Sequence, residues 1–259
     1  MTDSRRDVPA AGQPAAAAQQ ATGGPAARSA RRAELTAGLD EVRARISAAC
    51  SAAGRRADEV TLIAVTKTFP ASDVALLSEL GVADVGENRD AEAAPKAAQC
   101  AALPLTWHFV GQLQTNKCAS VVSYSRVIHS VDRLRLVRVL GSRARAAGRS
   151  ITCLVQVSLD GQAGRGGVLP DLLPAVADAV AGEGGLVLGG VMAVAPLSVP
   201  ARAAFGELRE LAARVRASHP QAVMISAGMS GDLEDAIGQG ATHVRVGTAL
   251  LGGRRAFVR

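Results

Sequence analysis

From residue 60 onward, short apolar runs alternate with longer stretches in which apolar residues recur at helical spacing. The runs are VTLIAVTK, VADVG, TWHFVG, RVIHS, TCLVQVS, LVLGGVM, AVMIS and HVRVG. The helical stretches cover about 71–81, 88–101, 114–122, 132–147, 170–182, 200–218 and 231–239. Because the runs are continuous rather than alternating, both faces of each strand should be buried, as in parallel sheets. The pattern predicts an α/β fold, a single (β/α)8 TIM-type barrel.

A doubly wound open sheet shows the same alternation of strands and helices, and it is the alternative fold. The glycine fingerprint GxGxxG that is typical of nucleotide-binding open sheets is absent after the first run. The barrel is therefore the favoured interpretation.

The chain before the first run divides into two parts near residue 33. Residues 1–32 are rich in Ala, Gln, Gly and Pro and hold almost no large apolar residues. Such a segment buries too little surface to offset its ordering entropy, so we expect a disordered tail. Residues 33–54 predict an extra N-terminal helix, whose apolar face carries Leu35, Leu39, Val42, Ile46 and Cys50. One barrel domain would then span 33–259.

The charge balance excludes several classes of protein. The formal net charge is +6, of which the predicted tail holds +3, leaving 24 basic and 21 acidic residues in the domain. A domain so balanced lacks the basic footprint of a nucleic-acid-binding protein, and 2% aromatic residues are too few for base stacking. The most apolar stretch, 172–197, is interrupted by Asp178 and Glu183, so we expect no membrane span.

The four cysteines are scattered, with no CxxC pair and no spacing typical of a zinc site. No signal peptide is recognisable at the N terminus. The sequence therefore predicts free thiols in a reducing cytoplasm and no structural metal.

Polar and glycine residues gather directly after the predicted strands, and active sites of (β/α)8 barrels form at that end. The clusters are Lys67, Gly86–Asn88, His108–Gln112, His129–Ser130, Met192, Ser226–Ser230 and Arg245–Thr248. We therefore expect a ligand site at this rim of the barrel.

Two of the clusters suit a phosphate group. The turn Ser226–Ser230, which contains Gly228, and the pair Gly247 and Thr248 each lie between a strand and a helix, where backbone N–H groups can approach an anion. The loops after strands seven and eight often bind phosphate in this fold. Ser230 and Thr248 could instead be ordinary helix caps. Their occurrence on neighbouring strands favours the phosphate.

Lys67 ends the first strand in a chain with only three lysines, Lys67, Lys96 and Lys117, among 29 basic residues. A strand-end lysine can simply extend into solvent, but arginine would do this equally well. Only lysine can lose a proton and attack a carbonyl, and burial at a barrel mouth would lower its pKa. Such an amine opposite a phosphate site indicates a Schiff base with a phosphorylated aldehyde, for which pyridoxal 5′-phosphate is the obvious candidate.

The sequence also suggests roles or positions for three other charged residues. Arg245 would either donate to the pyridine nitrogen and keep it unprotonated, or be a structural arginine paired with a carboxylate. Glu87 is either a rim acid or base or a solvated loop carboxylate. Lys96, in the middle of a helix, should lie away from the rim.

Long segments of the chain resemble the pyridoxal phosphate homeostasis protein family. The segments are LIAVTK, VGEN, WHFVGQLQTNK, VIHSVD, GGVMAVAP and ISAGMSGDLEDAIGQGATHVRVGTALLGGR, within about residues 35–255. The resemblance implies a barrel like the N-terminal domain of alanine racemase that holds pyridoxal phosphate. It further implies the cofactor-binding residues, which are Lys67 as the Schiff-base lysine, Asn88, Ser226, Gly228, Ser230, Gly247, Thr248 and the ring-nitrogen arginine Arg245, with Met192 added from the rim. The 158–167 loop departs from the family, with Gln162 and Arg165 in place of the usual Glu and Lys.

Three functions compete: a carrier of pyridoxal phosphate, an amino-acid racemase, and an unrelated barrel enzyme that acts on a phosphorylated substrate. A racemase like those it resembles needs a second base, a tyrosine from a C-terminal β-domain. This chain has one tyrosine, Tyr124, before the fourth strand, and it ends soon after the eighth. We therefore expect a monomeric carrier that holds the cofactor as an internal aldimine and releases it or passes it to apo-enzymes. Weak racemase activity is the alternative.

Overall fold

The structure, a computed structural model, describes residues 24–162 and 166–253. Eight parallel strands close into a barrel in chain order, with the last strand pairing to the first. They are β1 Thr61–Val65, β2 Asp84–Glu87, β3 Thr106–Phe109, β4 Val127–Val131, β5 Ile151–Gln156, β6 Leu186–Met192, β7 Met224–Ser226 and β8 His243–Val246. The predicted barrel is confirmed, and the open sheet is excluded.

The helices surround the barrel and cover the outward face of its strands. They are α1 Pro25–Ala52, α2 Ala71–Glu79, α3 Asp90–Gln99, α4 Cys118–Tyr124, α5 Leu134–Ala146, α6 Leu173–Gly182, α7 Ala201–Ser218, α8 Leu233–Gly238 and α9 Thr248–Leu251. Of these helices, none is long and apolar enough to cross a membrane.

Strand residues alternate between the helix layer and the bore of the barrel. Outward residues such as Ala64 and Val246 join the apolar cluster that α1 helps to build. Inward residues Val127, Leu154 and Met192 form a small apolar cluster of their own. The bore is therefore partly apolar, and it also holds buried polar side chains such as His129 and Arg245, which belong to the site described below.

Helix α1 begins at Pro25, eight residues before the predicted boundary of the barrel domain. The added turns carry no apolar stripe, but Arg28 pairs with Glu79, and Arg31 pairs with Asp73 at 2.7 Å. These ion pairs with α2 hold the first turns of α1 where the sequence offered no apolar residues to bury. The predicted tail of residues 1–32 is thus too long, because residues 25–32 are helical.

Two sequence predictions fall on residues outside the described ranges, namely the tail over residues 1–23 and the family departure at Arg165. The four cysteines, for which the sequence predicts free thiols, all lie within the described ranges. All four cysteines are buried and free. Within the described ranges, no cluster of His, Cys, Asp and Glu could hold a metal ion.

Candidate functional site at the barrel mouth

Lys67 lies at the C-terminal mouth of the barrel. It follows β1 by two residues and shares the inward phase of Ile63 and Val65. The pairing of β1 with β8 sets Ile63 opposite Arg245, so the lysine projects on the side of the bore that Arg245 lines. The expected burial of Lys67 is wrong, since the residue is exposed. The reason is that β1 ends at Val65 and Lys67 stands above the last layer of the bore.

The turn that carries Lys67 is held on both sides by α3. Before it, the carbonyl of Thr66 accepts a hydrogen bond from Lys96 Nζ at 2.8 Å. After it, the backbone N–H of Thr68 donates to Glu92 Oε2 at 3.1 Å. Thr68 has a φ of 68°, a left-handed conformation that is strained for a β-branched residue. Helix α3 therefore fixes the backbone from which the exposed amine projects.

Glu87 and Lys96 form a buried ion pair between the barrel and α3. Glu87 is fully buried, and its Oε1 also accepts the Thr66 hydroxyl at 2.6 Å. Burial raises the pKa of Glu87, and the attraction of Lys96 opposes that rise. The predictions of a distant Lys96 and a solvated Glu87 are both wrong, because helical position alone does not reveal which buried acid a lysine faces. Because Glu87 is buried and paired with Lys96, it is not available as the catalytic acid or base that the unrelated-enzyme hypothesis requires.

Asn88 and Met192 border the same mouth in different ways. Asn88 directly follows β2 and is half-buried, and its backbone packs tightly on Gly111, where an added Cβ would lie 2.1 Å from the Asn88 carbonyl oxygen. Met192 is the last residue of β6, lies in the inward apolar cluster and pairs in register with Ser226. Asn88 therefore lies at the mouth directly after β2, whereas Met192 lies in the apolar layer at the end of β6.

The loops after β7 and β8 are tied to each other. The carbonyl of Gly228, a residue with a φ of 88°, accepts the backbone N–H of Arg245 at 2.9 Å. The hydroxyl of Ser230 accepts the N–H of Ala249 at 3.2 Å. Asp232 occupies the N-cap position of α8 and Gly247 that of α9, so neither Ser230 nor Thr248 stands at the N-cap of the helix that follows it. The capping alternative is wrong for Thr248, whereas the Ser230 hydroxyl caps the first turn of α9 rather than the helix that follows it.

Arg245 is buried in the bore without a carboxylate partner among the residues that the structure describes. Its Nη1 donates to Ser226 Oγ at 2.6 Å and its Nη2 to the carbonyl of Ala193 at 3.0 Å. Burial lowers its pKa to about 10, and the more distant charge of Asp232 opposes this effect. The alternative of a structural arginine paired with a carboxylate is therefore wrong. A buried cation whose only acceptors are neutral is incompletely compensated. An anionic ligand, or one with an exposed lone pair, could supply the missing acceptor.

Sequence reasoning missed a polar chain that crosses the bore toward Arg245. Asp84 Oδ1 lies 2.9 Å from His108 Nε2, His108 Nδ1 lies 2.8 Å from His129 Nε2, and His129 Nδ1 lies 2.9 Å from Ser226 Oγ. Each residue occupies an inward position of its strand. The signal was therefore present in the sequence as polar residues at alternate positions of the apolar runs.

Tyr124 lies outside the barrel. Its ring packs edge-to-face on Trp107 at 6.4 Å, and its hydroxyl lies 3.4 Å from Asp90 Oδ1. Burial, followed by the charge of Asp90, raises the pKa of this phenol well above its usual value. The chain's only tyrosine therefore packs among the helices and does not face the mouth.

Comparison with known proteins identifies the family to which this chain belongs. The family model for the N-terminal domain of alanine racemase matches residues 38–255. The pyridoxal phosphate homeostasis protein of Mycobacterium tuberculosis is 43% identical over 244 residues, which cover 87% of this chain and 95% of the relative. The protein of the same name from Escherichia coli K12 is 36% identical over 228 residues, covering 85% and 97%.

Solved structures agree with that assignment. PipY of Synechococcus elongatus with PLP bound matches with a TM-score of 0.74 and 34% identity, covering 84% of this chain and all of PipY. Alanine racemase of Clostridium difficile matches with a TM-score of 0.67 at 13% identity, which shows a shared fold alone. The chain belongs to the alanine racemase N-terminal domain family and, within it, to the pyridoxal phosphate homeostasis proteins.

Proposed function

We propose that this protein binds pyridoxal 5′-phosphate at the barrel mouth and takes part in its homeostasis by holding and releasing it. The observation that carries the proposal is an exposed amine, Lys67, after the strand that pairs with β8, and on β8 a buried guanidinium, Arg245, that no described carboxylate neutralises. The names of the homeostasis proteins and the ligand of PipY support the same cofactor.

The residues at the mouth fit the cofactor in their donor chemistry. When bound, pyridoxal phosphate supplies an aldehyde that condenses with a primary amine and loses water. Lys67 provides the amine, on a turn that α3 holds in place. Arg245 can only donate hydrogen bonds, so it suits a ring nitrogen that carries no proton.

The two loops after β7 and β8 supply the phosphate site in this proposal. Gly228 permits the tight turn, since a Cβ there would lie 2.6 Å from the Cβ of Ala236. Gly247 and Thr248 open the second turn, and Ser230 joins the two loops. Asn88 borders the ring, while Ser226 and Met192 act from the layer below. Backbone N–H groups at such turns bind phosphate without requiring a basic side chain.

Carriage is favoured over racemisation because, among the described residues, Lys67 is the base at the mouth and no second base is assigned opposite it. A racemase needs a second proton donor on the opposite face of the substrate, and Tyr124 packs among the outer helices. An exposed Lys67 also gives water access to the bond that holds the cofactor, which suits reversible release. On this proposal, enzymatic racemisation is absent or slow and incidental.

The decisive experiment measures visible absorbance after incubation with pyridoxal phosphate, followed by borohydride reduction and mass mapping. Wild-type protein and Lys117→Ala should be coloured and reduced at position 67, whereas Lys67→Ala should be colourless. Lys117 is the matched control, since it is the chain's other exposed lysine. A colourless wild type, or an adduct retained by Lys67→Ala, would refute the assignment. D/L-alanine turnover at about 1 s⁻¹ or faster would refute carriage.

The cellular setting forms the last part of the proposal. Four buried free thiols suit a reducing cytoplasm. We propose apo forms of pyridoxal phosphate enzymes as recipients and a monomer as the working form. Incubating loaded protein with an apo-enzyme and measuring recovered activity tests the first point. An elution mass near 26.4 kDa tests the second.

A further inference from the structure

The hydrogen-bonded polar chain in the bore contains three groups with a movable proton, namely the Ser226 hydroxyl and the rings of His129 and His108. Arg245 fixes one end of this polar chain, so the position of each proton can be worked out from there. Arg245 carries only donors, so Ser226 Oγ must accept its Nη1–H across 2.6 Å. Ser226 then has one hydroxyl proton left, and among the described residues its remaining side-chain hydrogen-bond partner is His129 Nδ1 at 2.9 Å. His129 is therefore unprotonated at Nδ1, and it carries its proton at Nε2.

The two hydrogen bonds between His129 and Asp84 run in the same direction. His129 Nε2–H donates to His108 Nδ1 across 2.8 Å, so His108 also carries its proton at Nε2. That proton points at Asp84 Oδ1, 2.9 Å away, and the carboxylate accepts it. All bonds therefore run one way, from Arg245 to Asp84, with both histidines neutral. Burial, with the neighbouring His108, Arg245 and His243, holds the pKa of His129 well below its usual value, which agrees with a neutral ring.

The opposite direction would require an extra proton. If His129 Nδ1 donated to Ser226, then His108 would have to donate from Nδ1, and its bare Nε2 would face the Asp84 carboxylate. Only a doubly protonated His108 or a protonated Asp84 removes that repulsion. The chain cannot relay a proton to the mouth either, because Arg245 at its end cannot accept one.

We propose that His108 and His129 are positioning residues, which use the Asp84 carboxylate to fix the Ser226 hydroxyl as an acceptor and so lock the Arg245 guanidinium toward the barrel mouth. Two of the five guanidinium donors are used by Ser226 Oγ and the Ala193 carbonyl. Among the described residues, the remaining three have no hydrogen-bond acceptor, and in this proposal the ligand accepts from them. The histidines thus act on the ligand through Arg245 without touching it, and this part of the inference rests on the proposed function.

The first test needs no cofactor and no variant. Nitrogen-15 NMR of the imidazoles in cofactor-free protein at neutral pH should show His108 and His129 as neutral rings protonated at Nε2. Protonation of either ring at Nδ1, or a charged ring, overturns the proposed direction. This measurement stands even if the protein proves not to bind pyridoxal phosphate.

The second test uses the loaded protein and His129→Gln, with His219→Gln as the matched control. His219 is the chain's one histidine outside the bore, and it pairs with Asp178 at 2.7 Å. His129→Gln should shift the visible absorbance band and weaken pyridoxal phosphate binding about tenfold, the effect of one impaired hydrogen bond. His219→Gln should change neither.

A third variant shows whether His129 acts through Arg245. In an Arg245→Met background, adding His129→Gln should produce no further shift of the absorbance band and no further loss of affinity. An undiminished effect in that background would refute the positioning role and leave His129 with an independent one. A wild type that forms no coloured adduct would refute the proposed function instead. The NMR result would still decide in which direction the hydrogen bonds between Arg245 and Asp84 run.

Discussion

Lys96 and Arg245 are two buried cations in the same barrel that are held in opposite ways. Their exposed fractions are 7% and 5%. Lys96 pairs with the Glu87 carboxylate and donates to the Thr66 carbonyl, whereas Arg245 has only a hydroxyl and a carbonyl as partners. The first charge is neutralised within the protein, and among described residues the second is not.

This difference separates a charge that the protein compensates itself from one that the proposed ligand would compensate. Burying an ion is costly unless a counter-charge and hydrogen bonds compensate, and Lys96 has both. Arg245 has the hydrogen bonds alone, so a ligand with acceptor atoms would complete its surroundings. Lys67 lies between the two, since Lys96 fixes its turn from α3 and Arg245 lines the neighbouring strand.

The largest expected effect comes from breaking the neutralised pair. Lys96→Met leaves the Glu87 carboxylate buried without its cation and the Thr66 carbonyl without a donor. We expect the free energy of unfolding to fall by about 3–5 kcal/mol. Urea unfolding at neutral pH, followed by circular dichroism, measures this loss.

The double variant Lys96→Met with Glu87→Met is the control for that prediction. Because it removes both charges and keeps similar volume, most of the lost stability should return. A single variant that loses less than about 1 kcal/mol would show that the pair is not the buried structural charge described here.

Lowering the pH should reduce the free energy of unfolding through the histidines that line the bore near Arg245. Burial, then repulsion by His108, lowers the pKa of His243 to about 4, and the pKa of His129 is also lowered. The folded protein therefore binds fewer protons than the unfolded chain between about pH 6.5 and pH 4, so stability falls as pH falls through this window. For His243 we expect a loss of about 2–3 kcal/mol, at about 1.4 kcal/mol per tenfold change in proton affinity.

Urea unfolding at about pH 7 and about pH 4 measures this loss. His243→Gln should flatten the pH dependence, because its titratable ring is gone. His219→Gln is the control, because it removes the one histidine ring that lies outside the bore. An unchanged dependence in His243→Gln would contradict the assignment of the effect to the bore.

The sequence alone predicted the barrel and the rim, because apolar runs and their spacing are local signals. It placed Lys67 and Arg245 correctly at the C-terminal ends of β1 and β8. It could not show that α3 turns Lys96 onto Glu87, or that Arg245 lacks a carboxylate, since both depend on contacts made only when the barrel closes. The start of α1 at Pro25 was missed for a related reason, because ion pairs with α2 replace the apolar stripe there.

A smaller loss is expected from Arg245→Met than from Lys96→Met. No carboxylate is left unpaired, and only Ser226 Oγ and the Ala193 carbonyl lose a donor, so about 1–2 kcal/mol should be lost in cofactor-free protein. The same variant should lose the stabilisation that added pyridoxal phosphate gives the wild type. Urea unfolding with and without the cofactor measures both effects. A loss equal to that of Lys96→Met would mean that Arg245 is as structural as Lys96.

The smallest effect concerns the turn on the Lys96 side, where Thr68 adopts its left-handed conformation. Asparagine tolerates this region better than a β-branched residue does, and Thr68→Asn keeps the backbone N–H that Glu92 accepts. We expect Thr68→Asn to stabilise the protein by about 0.5–1 kcal/mol and Thr68→Ala by less. Thermal unfolding of the two variants measures the difference. If Thr68→Asn destabilises the protein, the threonine side chain contributes more than its strain costs, and the turn under Lys67 is built by side-chain contacts as well as by α3.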